Sequence, residues 1–173
     1  MHGHNLIRRA IENDEASVKD LALTNHMFGV DELDDFVTAF RGALNEELQG
    51  HHWYVMVDPD GQGVDRTEDL VVGVAYLAPE PFADRVWNLY FLAVEPHLHG
   101  RGAGSQLIRH VEGVLRDAGQ DVARVLIVET SSTDEYANAR AFYRARGFDE
   151  EARIRDFYGP GDNKVVFWKA ITV

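Results

Sequence analysis

The chain has 173 residues, of which 45% are hydrophobic and 27% charged, and it contains no cysteine. This size predicts a single domain over residues 1–173 with one well-filled core, and the lack of cysteine excludes disulfides, thiol nucleophiles and thiolate metal sites. Seventeen basic residues against 29 acidic ones give a formal charge of -12, which disfavours nucleic acid and anionic membranes as partners. It suits either a cationic partner, such as an amine, or simple solubility.

The compartment is predicted from the same composition. No segment approaches the roughly 18 consecutive apolar residues of a membrane span, and the first residues, MHGHNLIRRA, lack the apolar core of a signal peptide. We therefore expect a cytoplasmic protein without a membrane partner.

The N-terminal part of the chain is predicted to form one strand and two helices. The short, partly apolar segment Asn5–Ile11 indicates a strand, and apolar residues at helical spacing predict a helix over Glu15–Met27. Asp31 is a residue type that caps helices, and we expect it to begin the second helix. The apolar face of that helix is formed by Leu33, Phe36, Val37, Phe40, Leu44 and Leu48.

Strands dominate the next part of the chain. Two strands, Trp53–Val57 and Leu70–Ala78, are predicted to form a hairpin, with the turn signal Asp58–Gly61 and a longer polar loop between them. Arg85–Val94 is predicted as the following strand, and the continuous apolar run Val125–Val128 is typical of a buried strand.

The C-terminal part is predicted to contain one helix and two strands. Thr133 or Asp134 is expected to cap a helix that continues to Ala145, with Gly147 placed to end it. Two strands complete the chain, joined by the turn-forming stretch Tyr158–Asn163: they are Phe148–Phe157 and Lys164–Val173. The alternation of helices and strands favours an α/β or α+β domain.

A glycine-rich turn, HGRGAG, separates the strand Arg85–Val94 from a helix. The helix is indicated by apolar residues on one face: Leu107, Ile108, Val111, Val114 and Leu115. The first amides of a helix have no intrahelical partner and carry the positive end of its dipole, so this turn is suited to bind a phosphate. The alternative is that the glycines only permit a tight backbone. The spacing matches neither the P-loop nor the dinucleotide fingerprint, which disfavours a nucleotide-binding α/β protein.

Two motifs in this order resemble the GNAT family of N-acetyltransferases. Val94-Glu95-Pro96 followed by His99–Gly104 resembles the family's acetyl-CoA loop, with His99 where glutamine or arginine is usual. Ala141–Phe148 resembles the family helix that ends in Tyr-x-x-x-Gly-Phe. The resemblance implies the GNAT-like fold, a central mixed sheet of six to seven strands flanked by about four helices, and acetyl-CoA as co-substrate.

The resemblance also implies which residues contact acetyl-CoA. The pantetheine arm pairs with the backbone of Leu92, Ala93 and Val94, and the loop holds the pyrophosphate. Many relatives carry an asparagine seven residues before the helical tyrosine, where this chain has Tyr136, so the nearby Asn138 is the candidate for that contact. The loop candidates are His99, Gly100, Arg101, Gly102, Ala103, Gly104 and Ser105.

The implied chemistry is direct transfer of an acetyl group from the thioester to an amine. Tyr143 is the candidate donor to the departing thiolate, because a phenol can give a hydrogen bond to sulfur without carrying charge; the alternative is an aromatic residue in the core. Some relatives carry a Glu or His base at the positions of Asn88 and Tyr90, neither of which is a base near neutral pH. Glu129, expected at the end of its strand, is the candidate base, directly or through water; the alternative is a solvated carboxylate.

The connection between the last two strands often approaches the acceptor in this family. Asp156, Tyr158 and Asp162 are therefore candidates for holding a cationic amine, against the alternative of an ordinary hairpin loop.

Two functions remain open at this point. The first is an N-acetyltransferase that acts on a small-molecule amine, a peptide N-terminus or a lysine, and the second is a noncatalytic acyl-CoA-binding module. No metal is expected, because the histidine pairs lack partner ligands at metal-binding spacing. Dimers are common among relatives, so a homodimer is left open.

Overall fold

The computed structural model describes residues 6–26, 32–58 and 70–172. In these ranges the chain forms seven strands and four α-helices. They are, in chain order, β1 (Leu6–Arg9), α1 (Glu15–Thr24), α2 (Leu33–Leu44), β2 (His52–Asp58), β3 (Leu70–Pro79), β4 (Val86–Val94), α3 (Ala103–Ala118), β5 (Val125–Ser131), α4 (Ala137–Ala145), β6 (Asp149–Gly159) and β7 (Asp162–Ala170). The strands form one mixed sheet in the order β1-β2-β3-β4-β5-β7-β6. The predicted fold class and number of elements are confirmed.

The ends of several elements differ from the prediction. Helix α1 ends at Thr24, and α2 follows Glu32, whose side chain makes no capping hydrogen bond. The predicted cap Asp31 lies outside the described residues, as do Asn5, Met27 and the turn residues after Asp58. In the ranges that the structure describes, no helix combines the length and the apolar character needed to cross a membrane.

The chain divides into two compact units, of which the first comprises residues 1–77 and 91–111. Strands β1, β2 and β3 pair antiparallel within it. The predicted apolar face of α2 is confirmed in part, because the helix ends at Leu44, before Leu48. Its phenylalanines Phe36 and Phe40 are buried, and each packs edge-on against Trp53 with ring centroids 5.2 Å apart. Phe36 also lies 5.0 Å from the ring of Phe91 in β4. The two phenylalanines are four positions apart, and this spacing puts both on one face of the helix.

The second unit comprises residues 78–90 and 112–173. Strands β4 and β5 run parallel over three residue pairs, Val86–Asn88 with Val125–Ile127. Strand β5 then pairs antiparallel with β7 as far as Ser131 opposite Lys164. Strand β5 is thus longer than the apolar run that predicted it, because its polar end continues the ladder with β7.

Strand β6 is the outermost strand of the second unit and pairs only with β7 in the sheet order. Its residues 149–158 are all exposed. A turn of two residues, Pro160 and Gly161, joins it to β7, with Gly159 opposite Asp162. The predicted six-residue connection Tyr158–Asn163 is therefore wrong: most of those residues extend the two strands.

Candidate functional site

The glycine turn in the first unit leads from the end of β4 into α3. A single turn of 3-10 helix, Pro96–Leu98, follows the strand, and the Arg101 amide donates to the Leu98 carbonyl at 3.1 Å. Gly100 and Gly102 then adopt positive φ values of 72° and 89°. These conformations are open to glycine and costly for other residues, so both glycines are required by the backbone path.

The turn presents amides at the start of α3. The Gln106 amide donates to the Gly102 carbonyl at 3.0 Å, which makes Gly102 the residue that precedes the helix. The amides of Ala103, Gly104 and Ser105 then lie in the first turn, where α-helical geometry provides no carbonyl partner. A Cβ atom added at Gly100 or Gly102 would meet nothing within 4 Å. The space in front of the turn is therefore open, and an anion placed there meets the positive end of the helix dipole.

The side chain of His99 braces this turn. Its Nε2 lies 3.2 Å from the Val94 carbonyl, so a proton on Nε2 lets the ring donate to the end of β4. The Val94 carbonyl also accepts from Asn25 Nδ2 at 3.2 Å, and the same amide nitrogen donates to the Leu21 carbonyl at 2.8 Å. Asn25 thus fixes the end of β4 to the end of α1. No local pattern indicates a role for Asn25, because it acts on a residue 69 positions later in the chain.

The end of α4 fixes Tyr143 in the second unit. The Phe148 amide donates to the Tyr143 carbonyl at 3.1 Å and the Gly147 amide donates to the Arg144 carbonyl at 3.1 Å, the two bonds of a Schellman C-cap. Gly147 has φ 82°, as this motif requires. The rings of Tyr143 and Phe148 pack 5.8 Å apart. The spacing Tyr-x-x-x-Gly-Phe is therefore that of a helix end closed by an aromatic pair.

The start of α4 differs from the prediction. A 3-10 turn, Asp134–Tyr136, precedes the helix, and neither Thr133 nor Tyr136, the residue before α4, makes a capping bond through its side chain. Thr133 stands at the N-cap position of the 3-10 turn that leads into α4, one of the two predicted positions, but the side chain of Thr133 forms no capping bond. Asp134 lies within that turn and is not its cap. Arg140 holds α4 instead, since its Nη1 donates to the carbonyls of Ser131 and Thr133 at 2.8 and 2.7 Å.

Tyr143 is buried, with 7% of its surface exposed. Its ring also packs against Phe142 and Phe167 at centroid distances of 5.4 and 5.6 Å. Burial raises the pKa of the phenol well above its ordinary value. The phenol therefore keeps its proton at neutral pH and can act as a donor.

Replacing Gly147 with alanine is expected to destabilise the fold by about 1–2 kcal/mol, the cost of a left-handed conformation for a residue with a Cβ atom. The nearest atoms to an added Cβ belong to Lys169 at 3.7 and 3.8 Å, so no clash contributes. Urea denaturation measures the change. Gly113→Ala is the matched control, because Gly113 lies inside α3 with open space around it; it is expected to be stabilising. Equal stability of Gly147→Ala and the wild type would contradict the prediction.

Glu129 lies inside β5 opposite Val166, not at the end of a strand as predicted. Its Oε2 is 3.1 Å from Nζ of Lys164 on β7. The same ammonium sits 3.6 Å from the ring centroid of Phe157. An amine that approached Glu129 would therefore compete with Lys164 for the carboxylate.

The β6–β7 hairpin holds the three acceptor candidates. Asp156 has φ 52°, and its Oδ1 accepts from the Gly161 amide at 2.8 Å, so its carboxylate shapes the hairpin. Asp162 Oδ1 accepts from Ser131 Oγ at 2.5 Å. Tyr158 is half-exposed, and the partial burial of its phenol, with the charges of Glu129 and Asp162, raises its pKa to about 12. Glu129 and Asp162 are thus close enough for their negative charges to act on the Tyr158 phenol. The three side chains form an acidic region of the second unit.

Asn138 is the second residue of α4 and is exposed. It belongs to the second unit, with Tyr143 and the hairpin, whereas the glycine turn belongs to the first unit. Among the described residues, no group of three or more histidine, aspartate or glutamate side chains is placed to hold a metal ion.

Comparison with known proteins decides the family. A family model described as "Acetyltransferase (GNAT) family" matches residues 17–148. The chain belongs to the GNAT family of acetyltransferases. The matched range contains both the glycine turn and the Tyr143 motif, so the resemblance inferred from those residues is confirmed.

Solved structures share the GNAT fold. One is a protein from Desulfovibrio desulfuricans assigned as a GNAT acetyltransferase, at 26% identity and TM-score 0.84, with 98% of this chain and 100% of that one covered. The ribosomal-protein-S18-alanine N-acetyltransferase from Escherichia coli has 17% identity, TM-score 0.74 and coverage of 98% and 96%. An aminoglycoside 6'-N-acetyltransferase complexed with coenzyme A has 17% identity, TM-score 0.70 and coverage of 97% and 98%. No curated protein sequence matches this GNAT chain.

Proposed function

We propose that this GNAT protein is an N-acetyltransferase that transfers the acetyl group of acetyl-CoA to a primary amine by direct attack in a ternary complex. The observation that carries the proposal is the glycine turn before α3. Its positive-φ glycines, its open front and the first amides of α3, which helix geometry leaves without a carbonyl partner, suit the pyrophosphate of acetyl-CoA. Two structural relatives act, by their names, on a protein alanine and on aminoglycosides, and both acceptors are amines.

Acetyl-CoA fits the residues of the turn and of β4. The amides of Ala103, Gly104 and Ser105 are the proposed phosphate donors, and Gly100 and Gly102 keep the approach free of side chains. Arg101 adds a positive charge, and Asn138 is proposed as a further contact. Leu92 and Ala93 offer main-chain groups to the pantetheine amides. The Val94 carbonyl is already engaged by His99 and Asn25, so we assign it to the support of the turn.

Tyr143 is proposed to donate a hydrogen bond to the departing thiolate. Acetyl-CoA supplies a thioester whose carbonyl carbon accepts the amine. Because burial keeps the Tyr143 phenol protonated, a neutral donor is available when negative charge develops on sulfur. Glu129 is proposed as a second participant, directly or through water. Its test is the pH profile of Glu129→Gln, and an unchanged rate and profile would remove Glu129 from the mechanism.

The acidic hairpin is proposed to attract the ammonium form of the acceptor. Replacing both Asp156 and Asp162 with asparagine keeps the side-chain oxygens that accept from Gly161 and Ser131 but removes two charges. We expect the KM for the amine to rise about three- to tenfold at low salt, and less at high salt, because the attraction is electrostatic. Steady-state kinetics at two ionic strengths measure the effect.

The matched control for the hairpin variant removes two charges elsewhere on β6. Asp149→Asn with Glu151→Gln is suitable, because both residues are exposed at the other end of the strand. An equal change of KM in both double variants would assign the effect to net charge and not to the hairpin.

Calorimetric titration with acetyl-CoA, free CoA, NAD and ATP tests the proposed function first. Selective binding of the two CoA species is expected. Thiol release is then measured with four amines: spermidine, Nα-acetyl-lysine methyl ester, a tetrapeptide with a free N-terminus, and kanamycin. Binding without thiol release from any amine would favour the noncatalytic acyl-CoA-binding module, and no binding of either CoA species would overturn both functions.

A further inference from the structure

Glu80 is the residue that follows β3, and its carboxylate is held by two side chains of β4. The Glu80 amide donates to the Val86 carbonyl at 2.8 Å, which fixes the backbone. Its Oε2 accepts from Tyr90 Oη at 2.9 Å and from Asn88 Nδ2 at 3.2 Å. Both bonds converge on one oxygen, so Oε1 carries no hydrogen bond from any described residue. The carboxylate is thus oriented by two neutral donors and keeps an oxygen available.

Asn88 is 1% exposed, and its Oδ1 is buried without a hydrogen-bond partner among the described residues. A buried polar atom without a partner costs free energy, and such atoms are uncommon in folded proteins. The Asn88 amide nitrogen donates to Glu80 from this enclosed position, so the buried side chain holds the carboxylate in one orientation.

Glu80 also differs from Glu129, the other carboxylate proposed to take part in the transfer. Glu129 is paired with Lys164, whereas no ion pair found among the described residues includes Glu80. Among the described residues, Tyr90 is the titratable side chain that hydrogen-bonds to Glu80. A carboxylate without a bound cation offers a place for an ammonium ion from solution.

The position of this group along β4 connects it to the proposed reaction. Tyr90 precedes Leu92 by two residues in the same strand, or about 7 Å at the usual rise per residue. Leu92 begins the segment that we assign to the pantetheine arm of acetyl-CoA. We propose that Glu80, oriented by Asn88 and Tyr90, binds the acceptor ammonium and accepts its proton. This inference rests on the proposed N-acetyltransferase function.

Two protons leave the acceptor nitrogen during the proposed transfer. The ammonium passes one proton to Glu80, and the neutral amine attacks the thioester carbonyl carbon. A C–N bond forms, the C–S bond breaks, and the electron pair of that bond leaves with the CoA sulfur. The nitrogen then loses its second proton. The thiolate takes one proton, and Glu80 returns its own to solvent, so the net products are the amide, the thiol of CoA and one released proton.

Glu80→Gln tests the proposal, because glutamine keeps an oxygen that accepts from Asn88 and Tyr90 but does not take up the proton. With whichever of the four amines the wild type acetylates, kcat/KM at pH 7 is expected to fall about 100-fold or more. The dissociation constant of acetyl-CoA is expected to stay unchanged. The difference in kcat/KM between the wild type and Glu80→Gln should become smaller toward about pH 10, where an amine loses its proton without a base.

Two further variants separate catalysis from folding. Tyr90→Phe removes one donor to Glu80 at a half-exposed site and is expected to lower kcat/KM three- to tenfold without a change in melting temperature. Glu151→Gln removes a charge from exposed β6 and is expected to behave as wild type. If Glu80→Gln kept the wild-type kcat/KM, or if its kcat/KM were lower by the same factor at every pH, the role of Glu80 would be overturned. The proposed function itself would stand. Absence of thiol release by the wild type would overturn the proposed function and this inference with it.

Discussion

Replacing Gly102 with valine is expected to weaken the binding of acetyl-CoA at least 100-fold. Gly102 has φ 89°, which a β-branched residue adopts only with strain. An added side chain also enters the open space in front of the turn. Loss of two hydrogen bonds to a charged phosphate, at about 1.5–3 kcal/mol each, accounts for this factor. Calorimetric titration with acetyl-CoA measures it.

Gly113→Ala is the control for this variant, because Gly113 lies in α3 away from the turn and has open space around it. It is expected to bind acetyl-CoA as the wild type does. Thermal denaturation of both variants shows whether the fold is retained. Wild-type affinity in folded Gly102→Val protein would contradict the assignment of the turn to the pyrophosphate and would leave the glycines a purely conformational role.

Replacing Tyr143 with phenylalanine is expected to lower kcat about 100-fold and to leave the affinity for acetyl-CoA unchanged. The ring contacts with Phe142, Phe148 and Phe167 remain, so stability is retained. The loss is the donor to the thiolate, and general acid catalysis contributes about 100-fold or more. Because burial raises the pKa of Tyr143, the ratio of wild-type to variant rates is expected to stay constant from about pH 6 to about pH 9.

Tyr54→Phe is the control for a lost phenol, since Tyr54 is a second buried tyrosine, at 5% exposure, in β2. It is expected to keep the wild-type kcat. An equal kcat in wild type and Tyr143→Phe would show that Tyr143 serves the core alone, which was the alternative at the outset.

The fold could be predicted from the sequence where residues close together in the chain determine both the local structure and the contacts it makes. The apolar face of α3 and the glycine turn before it are such patterns, and so is the end of α4, because the Schellman bonds join residues five or fewer apart. Segments whose structure depends on pairing with a strand distant in the chain were predicted less well. Glu129–Ser131 is polar yet extends β5, because β7 continues the ladder beside it.

The candidate site was predictable only in part, for the same physical reason. The composition of YGPGDN indicates a turn but not its register, and pairing of Gly159 with Asp162 reduces the connection to two residues. No sequence pattern indicated a role for Asn25 or Glu80. Each makes contacts to residues in β4, and Glu80 sits in a short connection of ordinary composition, so its orientation depends on residues eight and ten positions later.

The exposure of β6 bears on how this protein avoids unwanted assembly. An outermost strand offers unpaired backbone groups to any extended chain that reaches it, and charged side chains are a common protection. Strand β6 carries both signs along its length, Asp149, Glu150, Glu151, Arg153, Arg155 and Asp156, and ends at the Pro160 turn. A further strand added there would desolvate these charged groups, which is costly. The charges of β6 thus oppose aggregation through this strand. We expect fibrous or amorphous association to begin when these charges are neutralised.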